Sequence, residues 1–254
     1  MTYSLAIAGS SGAAKPFLAA LKSAGLPVQN LSPGASADGV EVLLLMPRDL
    51  MESERLLFEE EAYARSTESL TTIILAATLS PRYVRALRAR IDAKITLIDA
   101  PPVGTSAMIE AGQNTFLLGG PAEALDRLAP LFACLGQAHT RMGDYGTASA
   151  AKALQDCLQA ASAAMTRSAL DWAEAQGIEG GRLVSLLDST FRSGAPRSTD
   201  PASFVTNSLP EDNAGAVLVR NVESALDVAL KGVHLTPPRG FGKALAAIRA
   251  RHLH

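Results

Sequence analysis

The chain is poor in aromatic residues and in charge. Of its 254 residues, 5% are aromatic and 19% are charged, and the formal net charge is -2 at pH 7. Nucleic-acid-binding proteins use basic side chains against phosphates and aromatic rings against bases, so this composition argues against nucleic acid as a partner. With 48% hydrophobic residues, the chain can bury one large core or two modest ones.

Cysteine pairs, histidine clusters and long apolar runs are also lacking. Cys134 and Cys157 do not have C-x-x-C spacing, which predicts reduced thiols and a cytoplasmic protein. Apolar runs such as 40–46 are far shorter than a membrane span, and no apolar leader opens the chain, so we expect no membrane partner. The four histidines show no metal-ligand spacing and predict no metal site: His139, His234, His252 and His254.

Short apolar runs alternate with amphipathic segments through the first 140 residues. The predicted strands are 3–8, 28–31, 40–46, 71–77, 95–98 and 115–118. The predicted helices are 13–24, 50–64, 81–91 and 122–135. Strands that alternate with helices indicate the α/β class, with a doubly wound parallel sheet.

Beyond Gly146 the pattern is helical only. The predicted helices are 148–176, 180–187, 214–230 and 243–252, and a loop rich in Ser, Pro, Thr and Asp covers 193–213. We therefore predict a sheet domain over 1–144, followed by an all-α domain over 145–254 that begins with a long helix.

Three motifs follow one another along this pattern. A turn with Gly9, Ser11 and Ala14 follows the first strand, the segment 99–105 follows the fifth, and Gly146 opens a helix that carries Lys152. In order and spacing they resemble the motifs of the β-hydroxyacid dehydrogenases, the family of 3-hydroxyisobutyrate, tartronate semialdehyde and 6-phosphogluconate dehydrogenases. The resemblance spans nearly the whole chain. It implies a Rossmann-like domain followed by a helical domain that forms a homodimer.

The resemblance also implies a role for each motif. A dinucleotide would lie on Gly9, Ser11, Gly12, Met46, Pro47 and Thr78. A small-molecule substrate would lie on Val103, Gly104, Thr105, Gln155 and Arg220. Catalysis would fall to Lys152, Asp156 and Tyr145.

Simpler interpretations of the same residues stay open. Lys152 and Asp156 are four residues apart, which also suits a solvated ion pair on a helix surface. Tyr145 also suits an aromatic packed at a corner, Arg220 an exposed arginine on an amphipathic helix, and Val103 simple packing at a strand end. The turn at Gly9 equally suits a plain junction between strand and helix.

The cofactor motif departs from the family pattern. Ser11 adds a side chain where the family places a glycine against the pyrophosphate. Six residues separate Pro33 from Val40, too few for the crossover helix and strand that the family has there. Ser32 stands where an acidic residue would accept the ribose hydroxyls. We therefore predict a truncated doubly wound sheet, with the adenosine half of the pocket cut back and one β-α unit missing.

The substrate side departs as well. Val103 replaces the family's serine, and Asp156 replaces its asparagine. If the pair lines a cleft, a carboxylate one helical turn from Lys152 would hold the amine protonated, which favours a general acid or an electrostatic stabiliser over a neutral base.

From these departures we predict lysine-assisted acid/base chemistry without net redox and with no cofactor required. The enzyme would be an aldehyde-releasing lyase or an isomerase that acts on a small molecule bearing a hydroxymethyl or hydroxyl group. One alternative is an NAD(P)-dependent dehydrogenase or reductase of a small 3-hydroxy acid. A second alternative is a non-catalytic scaffold protein.

Overall fold

The computed structural model describes residues 4–66 and 68–186. The chain divides into two compact units, of which the first ends at Cys157 and the second begins at Leu158. The sequence-based boundary between residues 144 and 145 stays a prediction. The helices predicted at 214–230 and 243–252 and the loop at 193–213 lie outside the described residues.

The first unit contains eight strands among its described residues. They are β1 (Leu5–Ala8), β2 (Val28–Leu31), β3 (Val42–Leu45), β4 (Thr72–Leu75), β5 (Thr96–Asp99), β6 (Pro102–Val103), β7 (Thr115–Gly119) and β8 (Ala138–Gly143). The helices are α1 (Ala14–Ser23), α2 (Leu50–Phe58), α3 (Tyr63–Ser66), α4 (Pro81–Arg90), α5 (Ser106–Glu110), α6 (Ala122–Leu135) and α7 (Thr147–Ala175). Residues 180–186 are helical as well.

One sheet joins all eight strands in the order β2-β1-β3-β4-β5-β7-β6, with β8 paired to β7. The first five strands are parallel, which confirms the predicted α/β class and the doubly wound, Rossmann-like sheet followed by helix. The prediction of a parallel sheet through residue 140 is wrong at its far side, because β7 runs antiparallel to β5 and β6. Residues 104–114 connect β6 to β7, and they are too few for the crossover helix that a parallel return requires.

The core forms two layers, one on each face of the sheet. Side chains alternate along β3, so that Leu43 and Leu45 pack with α2 and α4. Leu44 faces the other way and packs in the same cluster as Phe17 of α1 and Phe132 of α6. Because the central strands are covered on both faces, their sequences are unbroken apolar runs, which makes these strands easy to predict from the sequence.

The connection between β2 and β3 is short, as predicted. Residues 32–41 contain no helix, although both strands pair in parallel with β1 on its opposite sides. This connection is fixed to the helices beside it, since the Tyr63 hydroxyl donates to the Ala35 carbonyl at 3.1 Å and the Gly34 N–H donates to Glu61 at 3.2 Å. The truncation of the sheet is therefore confirmed.

The helix predicted at 50–64 is interrupted. The first segment, α2, ends at Phe58, and α3 begins only at Tyr63. Three consecutive acidic residues, 59–61, stand at the negative end of the α2 dipole, which disfavours continuation of the helix. Within residues 4–66 and 68–186, no helix has the length and apolar character needed to cross a membrane.

Candidate active site

The predicted cofactor residues follow strands that end at one edge of the sheet. Ala8, Leu45, Leu75 and Asp99 are partners in register at the ends of β1, β3, β4 and β5. Neighbouring strands lie about 4.8 Å apart, so this row is roughly 14 Å long. The chain order reverses between β1 and β3, and in doubly wound sheets such a reversal opens a crevice at the carboxyl ends of the strands.

The turn after β1 lies in backbone contact with the turn after β3. Gly9 has a φ of 116°, and a Cβ atom there would lie 2.2 Å from the Met46 carbonyl oxygen and 3.0 Å from the Pro47 nitrogen. The Ser11 N–H donates to the same Met46 oxygen at 3.1 Å. Only glycine fits at position 9, and the structure brings Gly9, Ser11, Met46 and Pro47 together.

The first turn of α1 presents backbone donors to solvent. Gly12 and Lys15 are exposed, and their N–H groups find no acceptor within the described part of the chain. Ser11 does not obstruct them, because its Oγ accepts from the Ala13 N–H at 3.4 Å. No atom lies within 4 Å of a Cβ built on Gly12. Free donors at a helix N-terminus fit the pyrophosphate of a dinucleotide.

A buried carboxylate that the sequence analysis did not single out fixes this turn. Glu52 of α2 is 7% exposed and accepts hydrogen bonds from the Ser10 N–H (2.9 Å), the Ser10 hydroxyl (2.8 Å) and the Arg48 N–H (2.7 Å). The carboxylate thereby joins the β1–α1 turn to the β3–α2 turn. The available signal was its place one helical turn before the buried Leu56, where an apolar residue is expected.

The end of β2, where the adenosine of a dinucleotide would lie, has fewer groups that could bind it. The first residue after β2 is the exposed Ser32, so the strand end carries no carboxylate for the ribose hydroxyls. Thr78 is exposed just beyond the end of β4, at the same edge of the sheet. The residues present thus fit the pyrophosphate well and the adenosine ribose poorly.

The start of α7 packs tightly on the same edge of the sheet. A Cβ on Gly146, whose φ is 79°, would lie 2.7 Å from the Pro81 carbonyl oxygen at the start of α4. A Cβ on Gly119 would lie 2.7 Å from the Asp144 carbonyl oxygen. Tyr145 is half-buried and packs against the core cluster of α2 and α4. These contacts bring the glycine corner down onto the ends of β4 and β7.

Lys152 lies on α7 in an ion pair with Asp156. Its Nζ donates to Asp156 Oδ1 one helical turn further on. The lysine side chain is only 13% exposed and the aspartate side chain 43%, so the lysine is more buried than in a solvated surface pair. Gln155 is half-buried on the same helix. The catalytic roles of Lys152, Asp156 and Tyr145 stay predictions.

A second buried carboxylate ties α7 to the sheet. Asp99, the last residue of β5, is fully buried, and it accepts the Ser149 N–H at 2.9 Å and the Ser149 hydroxyl at 2.6 Å. Burial raises the pKa of Asp99, and the hydrogen bonds from Ser149 oppose that rise. The sequence signal was a charged residue directly after the apolar pair Leu97 and Ile98.

The predicted substrate segment follows Asp99. Val103 is half-buried in β6 and pairs with Thr115. Thr105 caps α5, since its Oγ1 accepts the Met108 N–H at 3.2 Å. Gly104 has a φ of 152° and packs on neighbouring Cβ atoms, where an added Cβ would lie 3.3 Å from that of Met108. Arg220 lies outside the described residues.

Comparison with known proteins identifies the first unit. A family model described as the NAD binding domain of 6-phosphogluconate dehydrogenase matches residues 13–143. The NAD-dependent L-serine dehydrogenase of Pseudomonas aeruginosa is 27% identical over 60% of this chain and 51% of its own length. The 3-hydroxyisobutyrate dehydrogenase of the same organism is 27% identical over 80% of this chain and 70% of its own. The chain thus spans about half the length of the first of these relatives.

A solved structure agrees with the fold. The 3-hydroxyisobutyrate dehydrogenase of Mycobacterium tuberculosis, solved with L-serine, superposes with a TM-score of 0.65 over 99% of this chain and 94% of that chain, at 21% identity. At this identity the likeness concerns the fold.

Two sequence-based predictions are therefore wrong. The lyase or isomerase without net redox is overturned, because the relatives are dehydrogenases. The expectation that no cofactor is required is overturned by the NAD-binding family model. The physical reason lies in the α1 turn, where the open donors are backbone N–H groups. These survive the replacement of the second glycine by Ser11.

Proposed function

The chain belongs to the β-hydroxyacid dehydrogenase family, and on that premise we propose that it is an NAD(P)-dependent dehydrogenase or reductase of a small 3-hydroxy acid. The observation that carries the proposal is a juxtaposition within the first unit. An open, anion-binding helix N-terminus lies at the ends of β1 and β3, and the helix that bears Lys152 is tied to the end of β5 on the same edge.

The cofactor would be held mainly by backbone. The N–H groups of Gly12 and Lys15 would bind the pyrophosphate, while Gly9 lets the turn approach Met46 and Pro47. When bound, NAD(P) supplies the hydride acceptor for oxidation, or the hydride donor for reduction. Thr78 stands beside the nicotinamide half. Since Ser32 leaves the ribose without a carboxylate, both NAD and NADP are candidate cofactors.

Lys152 handles the proton. In reduction the ammonium donates a proton to the carbonyl oxygen, and in oxidation the lysine, once it has released its own proton, takes the proton of the substrate hydroxyl. The neighbouring Asp156 carboxylate orients the amine through its ion pair. Val103, Gly104, Thr105 and Gln155 are the proposed substrate contacts, together with Arg220 outside the described residues and with Tyr145 as a second acid/base group.

We propose a homodimer in the cytoplasm. Leu154 and Leu158 are 66% and 72% exposed, one turn apart on α7, and such a stripe favours burial against a second copy. Cys134 and Cys157 are both free thiols, in keeping with a reducing compartment. Sedimentation of the purified chain at micromolar concentration measures the oligomeric state. A monomer would refute the dimer.

The experiment for the enzymatic proposal follows absorbance of the reduced nicotinamide. Purified protein is mixed with NAD or NADP and a panel of small 3-hydroxy acids, L-serine and 3-hydroxyisobutyrate among them. We expect turnover with at least one pair, and we expect Lys152→Ala to lower kcat by about 10²- to 10⁴-fold, as loss of a general acid/base does. Lys94→Ala, which alters an exposed lysine, is the matched control and should leave kcat unchanged.

Calorimetry with NAD and NADP separates binding from chemistry. Binding of either cofactor, retained in the Lys152→Ala variant, supports the proposal. Failure to bind both, or turnover of the alcohols with no dinucleotide present, refutes it.

A further inference from the structure

We propose that the buried carboxylate of Asp99 is a positioning residue that sets the place of Lys152 over the sheet edge, by holding the N–H and hydroxyl of Ser149. This inference rests on the proposed role of Lys152. The two hydrogen bonds, at 2.9 and 2.6 Å, join residues 50 positions apart, and both partners are fully buried.

The helix does not need Asp99 in order to begin. Its first turn is capped locally, because the Thr147 N–H and hydroxyl both donate to the Asp144 carbonyl, at 3.1 and 2.6 Å. The Ala150 N–H donates to the Gly146 carbonyl at 3.0 Å. These bonds define a helix start but fix nothing relative to β5. The long-range pair adds that constraint, since Asp99 is the last residue of a central strand.

Lys152 depends on that constraint. Ser149 and Lys152 are three residues apart, so their side chains leave the same face of α7. The partner of the amine, Asp156, lies on the same helix. Both halves of the ion pair therefore move with α7, and a shift of the helix along the sheet would carry them away from the crevice together.

A charged carboxylate at the buried position of Asp99 carries a desolvation cost, which a positioning role would explain. Asp99 is enclosed by apolar strands, since β4 (Thr72–Leu75) and β7 (Thr115–Gly119) carry no titratable side chain. The groups that face the carboxylate come from α7, namely the Ser149 donors and the backbone around Gly146 and Ala148. Lys152 and Asp156 are the next ionisable groups along that helix. A buried carboxylate that takes its hydrogen bonds from the backbone and a side chain at the start of one helix is suited to hold that helix in one position.

The test compares Asp99→Ala with Asp99→Asn. Alanine removes both acceptors, while asparagine keeps one oxygen for the Ser149 N–H. We expect kcat to fall about 10- to 100-fold in Asp99→Ala, as misplacement by about 1 Å does, and by less in Asp99→Asn. The KM for the dinucleotide should stay unchanged, because the α1 turn is untouched. Ser53→Ala is the control. It removes a hydrogen-bond acceptor from a fully buried side chain on α2, the Ser53 hydroxyl, which accepts from the Tyr83 hydroxyl of α4 at 3.0 Å.

A labelling measurement keeps the inference separate from the proposed function. An amine-acetylating reagent followed by peptide mass spectrometry reports how accessible Lys152 is, whether or not the protein is a dehydrogenase. We expect slow labelling of Lys152 in the parent protein and in Ser53→Ala, and at least threefold faster labelling in Asp99→Ala. Hydrogen exchange at residues 148–150 should accelerate in the same variant.

The outcomes distinguish the two claims. Absence of any dehydrogenase turnover in the parent protein overturns the proposed function, and labelling then decides whether Asp99 places Lys152. Full kcat in Asp99→Ala, or labelling of Lys152 at the parent rate, overturns the positioning role. Partial rescue by asparagine with an unchanged KM supports it.

Discussion

Among the helices that begin at the carboxyl edge of this sheet, α1 and α7 have N-termini with opposite surroundings. At α1, the N–H groups of Gly12 and Lys15 are exposed and have no acceptor among the described residues. At α7, the Ser149 N–H is buried and occupied by the carboxylate of Asp99. Both termini carry the same partial positive charge. The N-terminus of α1, to which the described residues supply no anion, is thus left available to a ligand, and that of α7 is not.

The α1 turn is nonetheless held rigidly, because Glu52 binds the residue beside the open donors rather than the donors themselves. Ser10 lies two positions before Gly12, and both its N–H and its hydroxyl donate to the Glu52 carboxylate. The internal anion at α7 fills the helix end. The internal anion at α1 stabilises the loop and leaves the helix end free.

The largest effect is expected from Gly9→Ala. The new Cβ would stand 2.2 Å from the Met46 oxygen, at a φ of 116° that alanine avoids, so the two turns must separate. We expect the free energy of unfolding to fall by about 3 kcal/mol or more. Urea unfolding measures this, with Gly12→Ala as the control, since no atom lies within 4 Å of a Cβ there. Equal stability of the two variants would contradict the backbone contact.

Gly12→Asp converts the open terminus into a closed one. A carboxylate at the first turn of α1 would compete with the pyrophosphate for the same N–H groups, so the dinucleotide Kd should rise about tenfold or more. The stability should not fall, since an acidic residue there is favourable to the helix. Calorimetry against Gly12→Ala isolates the charge. An unchanged Kd would mean that α1 is not where the anion binds.

Most of the sheet could be predicted because its central strands are covered on both faces. Unbroken apolar runs gave β3 and β4 to within a few residues, and α6 matched its predicted bounds. The elements that were missed lack such a signal. The strand β8 lies at the margin of the sheet with exposed polar side chains such as Arg141, while β6 and α5 are only two and five residues long.

The site was predictable only where local motifs define it. The Gly9 turn and Lys152 follow recognisable spacing, but the buried acids find their partners far along the chain. Asp99 meets Ser149 across 50 positions and Glu52 meets Ser10 across 42. The error about the cofactor came from weighing side chains such as Ser11, whereas the open donors at α1 are backbone N–H groups that almost any sequence supplies.

The N-terminus of α7, whose donors are occupied by Asp99, should affect the pH dependence of protein stability. The pKa of Asp99 is raised above 3.8, so the folded state binds more protons than the unfolded state from about pH 4 up to the raised value. The contribution of Asp99 to the free energy of unfolding therefore decreases as pH rises through that window, by at most about 1.4 kcal/mol per pH unit.

Asp99→Asn removes this contribution. The free energy of unfolding of the variant minus that of the parent should therefore increase as pH rises above about 4, which urea titrations at successive pH values measure. Subtraction cancels the opposite dependence of Glu54, whose pKa is lowered by Arg90. A difference that is flat or decreases with pH would show that Asp99 is not a desolvated carboxylate.

The smallest effect concerns unsatisfied polar groups that no ligand can reach. The side-chain amide of Asn114 is fully buried, and neither its oxygen nor its nitrogen has a hydrogen-bond partner among the described residues, whereas Gly12 is exposed. Such a group costs free energy without forming a site, so Asn114→Leu should raise the free energy of unfolding by about 1 kcal/mol and leave cofactor affinity unchanged. Asn30→Leu, at an exposed position of β2, is the control for added apolar volume. A loss of cofactor affinity in Asn114→Leu would instead mean that this amide takes part in cofactor binding. Solvent accessibility would then not distinguish the unpaired donors that bind a ligand from those that do not.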